Sequence, residues 1–266
     1  MAVTVVVPTR NSMRTLPACL GSIRAQDMQV ELIVVDNDST DGTYELAVQT
    51  ADTAVRGGPE RSAQRNTGVR LARTEWVLWV DSDMVLPPVT VSAALATAAA
   101  TGADAVAVPE ISVGPGFWTA CRALERSCYA DDPTLHNPRL LRRALLLGGG
   151  EFDVAMTGLE DTDLRLRLRE AGVRTALCPD AVIVHDEGRL TLRSILAKRL
   201  YYGRSLPAFA EKNPGALADQ AAGTARALIR HRRRLARHPV RTAGMLVMRA
   251  SEAAAYGLGY RLGPRR

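Results

Sequence analysis

The stretch SAQRNTGVRLARTEWVLWVDSDMVLPP, residues 62–88, is the part of the chain that best indicates its fold. Residues 62–72 have helical character, and the apolar run at residues 75–81 is typical of a strand buried on both faces. That run ends on two aspartates, Asp81 and Asp83, one residue apart. Carboxylates this close raise each other's pKa, and such a pair can hold a divalent cation through oxygen ligands. The alternative is two solvated loop aspartates, one of which caps the next helix.

The same alternation of strand and helix continues on both sides of this stretch. Strands are predicted at residues 2–8, 30–36, 53–56 and 103–109, and helices at residues 14–26, 39–49 and 90–102. A β-α-β-α-β order indicates an α/β fold with a mostly parallel sheet, helices on both of its faces and right-handed crossovers.

Polar clusters follow three of these strands. PTRNS follows the first strand, DNDSTD the second, and DSD the strand at residues 75–81. Ligands of open parallel sheets bind at the carboxyl ends of the strands. We therefore expect a single site to be built from these three loops.

The second half of the chain gives a less uniform pattern. Residues 160–172 alternate leucine and arginine as a strand would, but they also begin acidic, end basic and stop at Gly172, which favours a helix. Short strands are predicted up to His185. From residue 191 onward the chain is predicted to be helical, with breaks at Pro207, Pro214 and Pro239.

Charge divides the chain into two parts. Residues 1–188 carry 17 Lys/Arg and 25 Asp/Glu (−8), and residues 189–266 carry 17 and 3 (+14), which sum to the formal net charge of +6. We predict a core at residues 1–188 and a basic helical C-terminal extension at residues 189–266. The four cysteines lack metal-site spacing and are expected to be reduced. Neither a signal peptide nor a spanning helix is expected, so a cytoplasmic location is predicted.

The ordered set VVVPTRNS, LIVVDNDSTDGT, AQRNTGVRLARTEWVLWVDSDMVLPP, GLEDTDLRLRLREAG and VHDEG resembles glycosyltransferase family two, the inverting nucleotide-sugar transferases with the Rossmann-like GT-A fold. The resemblance covers roughly residues 2–205. It implies a metal-dependent transfer of one sugar from a UDP, GDP or dTDP sugar to an acceptor hydroxyl, with Mn²⁺ or Mg²⁺ as cofactor.

The resemblance also implies roles for individual residues. Those expected to bind the donor are Pro8, Thr9, Asn11, Asp36, Asn37, Arg65, Asp81 and Ser82. Asn37 stands where many relatives have a second aspartate, which leaves the identity of the base open. Arg65 is expected near the diphosphate, and the alternative is an arginine on the surface of its helix.

The remaining roles concern catalysis and metal. Asp161 is expected to be the catalytic base and Glu160 to contact the acceptor, although an acidic helix N-terminus is the alternative explanation for both. Asp83 and His185 are expected to hold the metal. The acceptor is left open among a lipid carrier, a polysaccharide end and a small molecule.

Two other functions are compatible with the predicted fold. A nucleotidyltransferase would be expected to carry a glycine-rich phosphate loop after the first strand, and PTRNSMRT has no glycine. A non-catalytic binding protein on the same fold is the other alternative.

The basic region at residues 189–266 is compatible with the inner face of an anionic membrane, with packing on the core or with a homodimer. No stacking-aromatic motif supports nucleic-acid binding.

Overall fold

The computed structural model describes residues 2–263. It contains ten strands: β1 (Val3–Thr9), β2 (Glu31–Asp36), β3 (Thr53–Arg56), β4 (Trp76–Trp79), β5 (Met84–Val85), β6 (Ala105–Ala107), β7 (Glu110–Val113), β8 (Leu140–Arg142), β9 (Thr175–Leu177) and β10 (Ile183–Asp186). The helices of its first half are α1 (Leu16–Arg24), α2 (Thr43–Thr50), α3 (Arg61–Leu71), α4 (Thr90–Thr101), α5 (Phe117–Arg126) and α6 (Arg143–Leu145). Those of its second half are α7 (Glu160–Glu170), α8 (Leu192–Gly203), α9 (Leu206–Lys212), α10 (Ala216–Arg230), α11 (Arg232–Ala236) and α12 (Pro239–Leu262). A 3₁₀ turn covers Pro133–Leu135 and a π-helical turn covers Leu146–Gly150.

These elements form two compact units. The first unit comprises Met1–Pro109, Asn137–Val154 and Glu160–His185, and the second comprises Glu110–His136, Ala155–Leu159 and Asp186–Arg266. The predicted division at residue 188 differs from these bounds, because residues 110–136 and 155–159 cluster with the C-terminal helices.

The first unit contains a seven-stranded sheet in the order β3-β2-β1-β4-β8-β6-β9. The pairs β1–β2, β1–β4, β2–β3 and β6–β9 are parallel, and within the described residues β8 is the one strand of this seven-stranded sheet that runs antiparallel to its neighbours, β4 and β6. The predicted mostly parallel α/β sheet is therefore confirmed. The chain moves from β1 to β2 on one side and returns to β4 on the other, so the strand order reverses at β1, where open α/β sheets bind ligands.

Both faces of this sheet are buried, which explains its continuous apolar strands. Val5 and Val7 of β1 pack in one hydrophobic cluster with residues of α1 and α4. Val6 points to the other face and packs in a second cluster with Val69 of α3 and Leu164 of α7. Helices thus cover both faces, as the sequence predicts.

The segment at residues 160–172 is a helix, α7, which confirms the favoured prediction. The acidic start and basic end of α7 agree with the polarity of a helix dipole. In the second unit, one helix ends and the next begins just before Pro207 and at Pro239, as predicted. Both prolines lie in the first turn of the new helix, α9 or α12, where proline is tolerated. Pro214 lies between α9 and α10, where the break was predicted.

The second unit is mainly helical. Cys121 of α5, Ile195 of α8, and Met245 and Met248 of α12 form its described hydrophobic cluster. All four cysteines of the chain are buried with free thiols. No helix within residues 2–263 is long and apolar enough to cross a membrane.

Candidate active site

The candidate site lies in the first unit, where β1, β2 and β4 end. Thr9 is the last residue of β1, Asp36 is the last residue of β2, and Asp81 follows β4 by two residues. Thr9 and Asp36 are paired in the register of the parallel strands. The three predicted polar loops therefore do meet at one edge of the sheet.

The loops after β1 and β2 are bonded to each other. Asn11 adopts a left-handed backbone conformation with φ of 47°, which asparagine tolerates better than most residues. Its backbone N–H donates to Ser39 Oγ at 2.7 Å, and its Oδ1 accepts from the N–H of Thr40 at 2.9 Å. Asn11 therefore fixes the position of one loop against the other.

Asp36 is fully buried and supports the same loop pair. Its Oδ2 accepts from the N–H of Ser39 at 2.9 Å and its Oδ1 accepts from Ser39 Oγ at 2.5 Å. Asn37 is nearer the surface and donates from Nδ2 to the carbonyl of Pro59 at 2.9 Å. Pro8 and Thr9 are buried at the end of β1, and Thr9 Oγ1 has no hydrogen-bond partner among residues 2–263. The hydroxyl of Thr9 therefore keeps hydrogen-bonding capacity at this strand end, whereas the carboxylate of Asp36 is engaged by Ser39.

Helix α3 contributes three consecutive polar residues that are all buried, Gln64, Arg65 and Asn66. Gln64 Nε2 donates to the carbonyls of Thr9 at 2.8 Å and of Val35 at 2.7 Å, which holds together the ends of β1 and β2. Asn66 exchanges two hydrogen bonds with the backbone of Phe152. The sequence pattern gave no indication of these contacts of Gln64 and Asn66, because polar helix residues are usually solvated.

Arg65 is the centre of the site's charge network. It is fully buried, so the alternative of an arginine on the helix surface is wrong. Its guanidinium donates to Asp161 Oδ1 at 2.5 Å and to Asp81 Oδ1 at 2.6 Å, and lies over the Phe152 ring at 5.0 Å. Burial lowers the pKa of Arg65, but Asp161 and Asp81 more than offset it and the pKa is raised.

Asp81 and Asp161 are 80 residues apart in sequence and meet at this one guanidinium. Their side chains are 15% and 23% exposed, so each carboxylate has a side toward solvent while Arg65 holds it from the core. Burial raises the pKa of Asp81, but Arg65, Arg139 and Arg61 outweigh it and hold that pKa well below its ordinary value. Asp81 is therefore an anion across the neutral range.

Glu160 lies beside Asp161 at the start of α7 but is buried. Its Oε1 is 2.8 Å from Arg61 and 3.5 Å from Arg65. Burial and the charge of Asp161 raise the pKa of Glu160, and the two arginines offset part of that rise. Contact of Glu160 with an acceptor stays a prediction, and its burial makes Asp161 the more accessible of the two carboxylates.

The predicted metal ligands Asp83 and His185 also come together. Antiparallel pairing of β5 with β10 sets Met84 opposite His185, and His185 Nε2 lies 3.2 Å from Asp83 Oδ2. Asp83 Oδ1 is buried without a hydrogen-bond partner among the described residues. Ser82, between the two aspartates, donates to Ser12 Oγ at 2.9 Å.

A carboxylate and an imidazole are suitable ligands for a divalent cation, and carboxylates suit Mn²⁺ and Mg²⁺. Within residues 2–263 no group of three or more His, Cys, Asp or Glu side chains is placed to hold a metal. The chemistry of the Asp83 and His185 side chains thus fits a divalent cation, for which they would supply two ligands.

Comparison with known proteins identifies relatives of the chain. The family model described as glycosyl transferase family 2 matches residues 4–152. A pre-mycofactocin glycosyltransferase of Mycobacterium tuberculosis is 29% identical over 231 residues, which cover 80% of this chain and 48% of that protein. A poly(ribitol-phosphate) beta-glucosyltransferase of Bacillus spizizenii is 35% identical over 96 residues, covering 31% of this chain and 15% of that protein. The chain thus spans about half the length of the first of these relatives, and less of the second.

Solved structures share the fold. A mannosyltransferase of Pyrobaculum calidifontis in complex with GDP-Man and Mn²⁺ aligns with a TM-score of 0.64 at 24% identity, covering 97% of this chain and 86% of that one. Residues 1–349 of Staphylococcus aureus TarS in complex with UDP-GlcNAc align with a TM-score of 0.57 at 21% identity, covering 100% and 93%. The fold is therefore that of the GT-A enzymes. Because the family model covers more than half of the sequence, the chain belongs to glycosyl transferase family 2.

Proposed function

We propose that the chain is a metal-dependent, inverting glycosyltransferase that moves one sugar from a nucleotide diphosphate sugar to an acceptor hydroxyl. The observation that carries the proposal is the convergence of Asp81 and Asp161 on the buried Arg65 guanidinium, at the strand ends where such sheets bind ligands. The similar proteins named above are glycosyltransferases, and two of the aligned structures contain UDP-GlcNAc or GDP-Man.

In the proposed reaction Asp161 is the base. Its carboxylate accepts the proton of the acceptor hydroxyl as that oxygen attacks the anomeric carbon from the face opposite the leaving group. The bond between the anomeric carbon and the diphosphate oxygen breaks, and the nucleoside diphosphate leaves with the electron pair. One carboxylate suffices, because a single displacement inverts the anomeric centre and needs no covalent enzyme intermediate.

Other side chains bind the donor in this proposal. Thr9, Asn11, Asn37, Asp81 and Ser82 line the loops on which the nucleotide is expected to lie. Pro8 and Asp36 support those loops, as their burial indicates. Arg65 is too buried to contact a diphosphate directly, and in this proposal it orients Asp81 and Asp161 instead.

Asp83 and His185 would hold the cation, Mn²⁺ or Mg²⁺. When bound there, the cation would neutralise the charge that develops on the departing diphosphate. The mannosyltransferase structure that contains Mn²⁺ together with GDP-Man supports this assignment by analogy of fold.

A donor-hydrolysis assay over UDP, GDP and dTDP sugars with Mn²⁺ or Mg²⁺ tests the proposal. We expect release of one nucleoside diphosphate in the presence of metal, and loss of that release in Asp83→Ala. Asp52→Ala is a matched control. Asp52 lies at the N-terminal end of β3, away from the carboxyl strand ends that form the site, and its side chain is 41% exposed against 38% for Asp83. If Asp83→Ala retains full metal-dependent turnover, the metal assignment is wrong.

A further inference from the structure

Helix α12 of the second unit presents an apolar face to solvent. Among its exposed side chains are Val240, Leu246, Val247 and Leu258. With 3.6 residues per turn, Val240, Val247 and Leu258 lie on one stripe of the helix. Ser251 also lies on that stripe, the exposed residues beside it at positions 243, 250 and 254 are alanines, and Arg261 lies beside its C-terminal end. A long apolar stripe on the surface of a protein usually marks a site of contact with another molecule.

The charged residues in the middle of α12 point the other way. Arg249 contacts Glu125 of α5. Glu252, which is buried, contacts Arg122 of α5 and lies 2.7 Å from Arg199 of α8. The inward side of α12 also buries Met245 and Met248, as a helix of a soluble protein does, but between residues 242 and 260 its exposed side carries no charged residue, whereas the exposed side of such a helix is usually charged. The exterior of α12 is therefore suited to an apolar environment.

Both ends of this apolar face are basic. The exposed arginines around the start of α12 are Arg230, Arg232, Arg233, Arg234, Arg237 and Arg241, and Arg261 is exposed near its end. Within residues 220–263 the sequence has one acidic residue, the buried Glu252. Arg265 and Arg266, which belong to the predicted basic region, lie outside the described residues.

This charge pattern distinguishes between the surfaces that could cover the face. A second copy of the helix would bring arginines against arginines in a parallel or an antiparallel pairing, without an exposed acidic residue on α12 to compensate. An anionic lipid surface complements the arginines and accepts the apolar stripe below them.

We propose that α12 lies in the plane of an anionic membrane surface, with its Val240–Leu258 stripe among the acyl chains and the arginines at its ends against lipid phosphates. The helix is about 36 Å long, and the described helices are not apolar enough to cross a bilayer, which is consistent with an in-plane position. This interaction is separate from the proposed sugar transfer, and its test requires no turnover.

Co-sedimentation of the purified full chain with large unilamellar vesicles tests the proposal. One vesicle set contains equal parts of phosphatidylcholine and phosphatidylglycerol, and the other contains phosphatidylcholine alone. We expect strong binding to the first set and weak binding to the second, with loss of binding at high salt because screening weakens the arginine–phosphate contacts.

Two variants separate the apolar and the electrostatic contributions. Val247→Glu is expected to lower partitioning into the vesicles at least about ten-fold. It replaces a valine that would lie among the acyl chains with a charged side chain. Val48→Glu in α2 is the matched control, since Val48 is 56% exposed and Val247 is 52% exposed, and it should bind as the wild type does. Arg233→Gln with Arg237→Gln should lower partitioning roughly twenty-fold.

Three outcomes would overturn the proposal. The first is wild-type binding that is equal for the two vesicle sets, and the second is binding that Val247→Glu and Val48→Glu reduce alike. The third is a stable dimer in light scattering that Val247→Glu dissociates while vesicle binding is absent, because it would assign the face to a second copy. Circular dichroism of each variant checks that it is folded.

Discussion

Two clusters of arginines and carboxylates, one in each unit, are built from the same groups and differ in exposure. The strand-end cluster consists of Arg65, Asp81, Asp161, Glu160 and Arg61, and the helix cluster consists of Glu125, Glu252, Arg122, Arg199 and Arg249. In the helix cluster the two carboxylates are the most deeply buried members. In the strand-end cluster the central arginine is the most deeply buried, and Asp81 and Asp161 are partly open to solvent.

The difference indicates different uses. Glu125 is bonded to Arg122, Arg249 and the hydroxyl of Tyr129, so its hydrogen-bonding capacity is taken up within the protein. Asp161 is held on one side by Arg65 and is accessible on the other. A buried carboxylate such as Glu125, whose partners lie on its own and a neighbouring helix, stabilises the packing of those helices. A carboxylate such as Asp161, which is bonded to a buried arginine and is partly exposed to solvent, is available to a ligand. Four changes, in order of decreasing effect, test whether the two clusters differ in this way.

The largest effect is expected for Asp161→Asn. The amide keeps the shape of the side chain but cannot accept a proton, so kcat for transfer should fall about 1,000-fold, within the range typical of a lost general base. Steady-state transfer assays measure the loss, and circular dichroism checks the fold. Transfer at the wild-type rate would place the base elsewhere.

Glu125→Gln tests the helix cluster. It removes the charge that compensates the partly buried Arg122 and Arg249, and we expect the free energy of unfolding to fall by about 3 kcal/mol. Urea denaturation measures this loss, while kcat at a temperature where the variant is folded should match the wild type. A large loss of kcat in the folded variant would show that the two clusters do not differ in use as we infer.

Arg65→Lys tests whether the guanidinium positions both aspartates. An ammonium group has the same charge but lacks the two-pronged geometry that contacts Asp81 and Asp161 together. We expect kcat to fall about 10- to 50-fold, as for a misplaced catalytic group, with a smaller change in KM. Full activity of Arg65→Lys would reduce the role of Arg65 to its charge alone.

The smallest effect concerns pH. Burial raises the pKa of Glu125, but Arg122 and Arg249 outweigh it and hold the pKa below its ordinary value. A glutamate with a lowered folded-state pKa stabilises the fold above the unfolded-state pKa of about 4.3, and the stabilisation is lost as pH falls through the folded-state value. The difference in stability between wild type and Glu125→Gln should therefore shrink as the pH falls below about 4.3. A constant difference would contradict the assigned ion pairs.

Local sequence patterns predicted the alternating strands and helices, because continuous β-branched runs and capped amphipathic segments are local signals. They did not predict β8, since the residues LLRRALLL at 140–147 are equally compatible with a helix. They also left the division into units different from that of the structure, because the packing of α5 with α8 and α12 depends on contacts between residues far apart in sequence.

The sequence indicated that the polar loops after β1, β2 and β4 would meet, and the structure brings them together, but the catalytic and binding roles of their residues stay predictions. Asp81 and Asp83 stand out because they follow a buried strand, whereas Asp161 was singled out by the family resemblance. The burial of Arg65 could not be deduced, because its partners Asp81 and Asp161 come from separate segments. Likewise, the approach of His185 to Asp83 depends on the antiparallel register of β5 and β10, which no local pattern specifies.

Binding of nucleoside diphosphates is the direct test of the proposal that the strand-end site holds a nucleotide diphosphate sugar. Titration calorimetry of UDP, GDP and dTDP into the wild type and into Asp161→Asn, each with and without Mn²⁺, separates donor binding from catalysis. We predict that one of the three binds both proteins equally and more tightly with Mn²⁺. Absence of binding for all three with the wild type in the presence of Mn²⁺ would contradict the account.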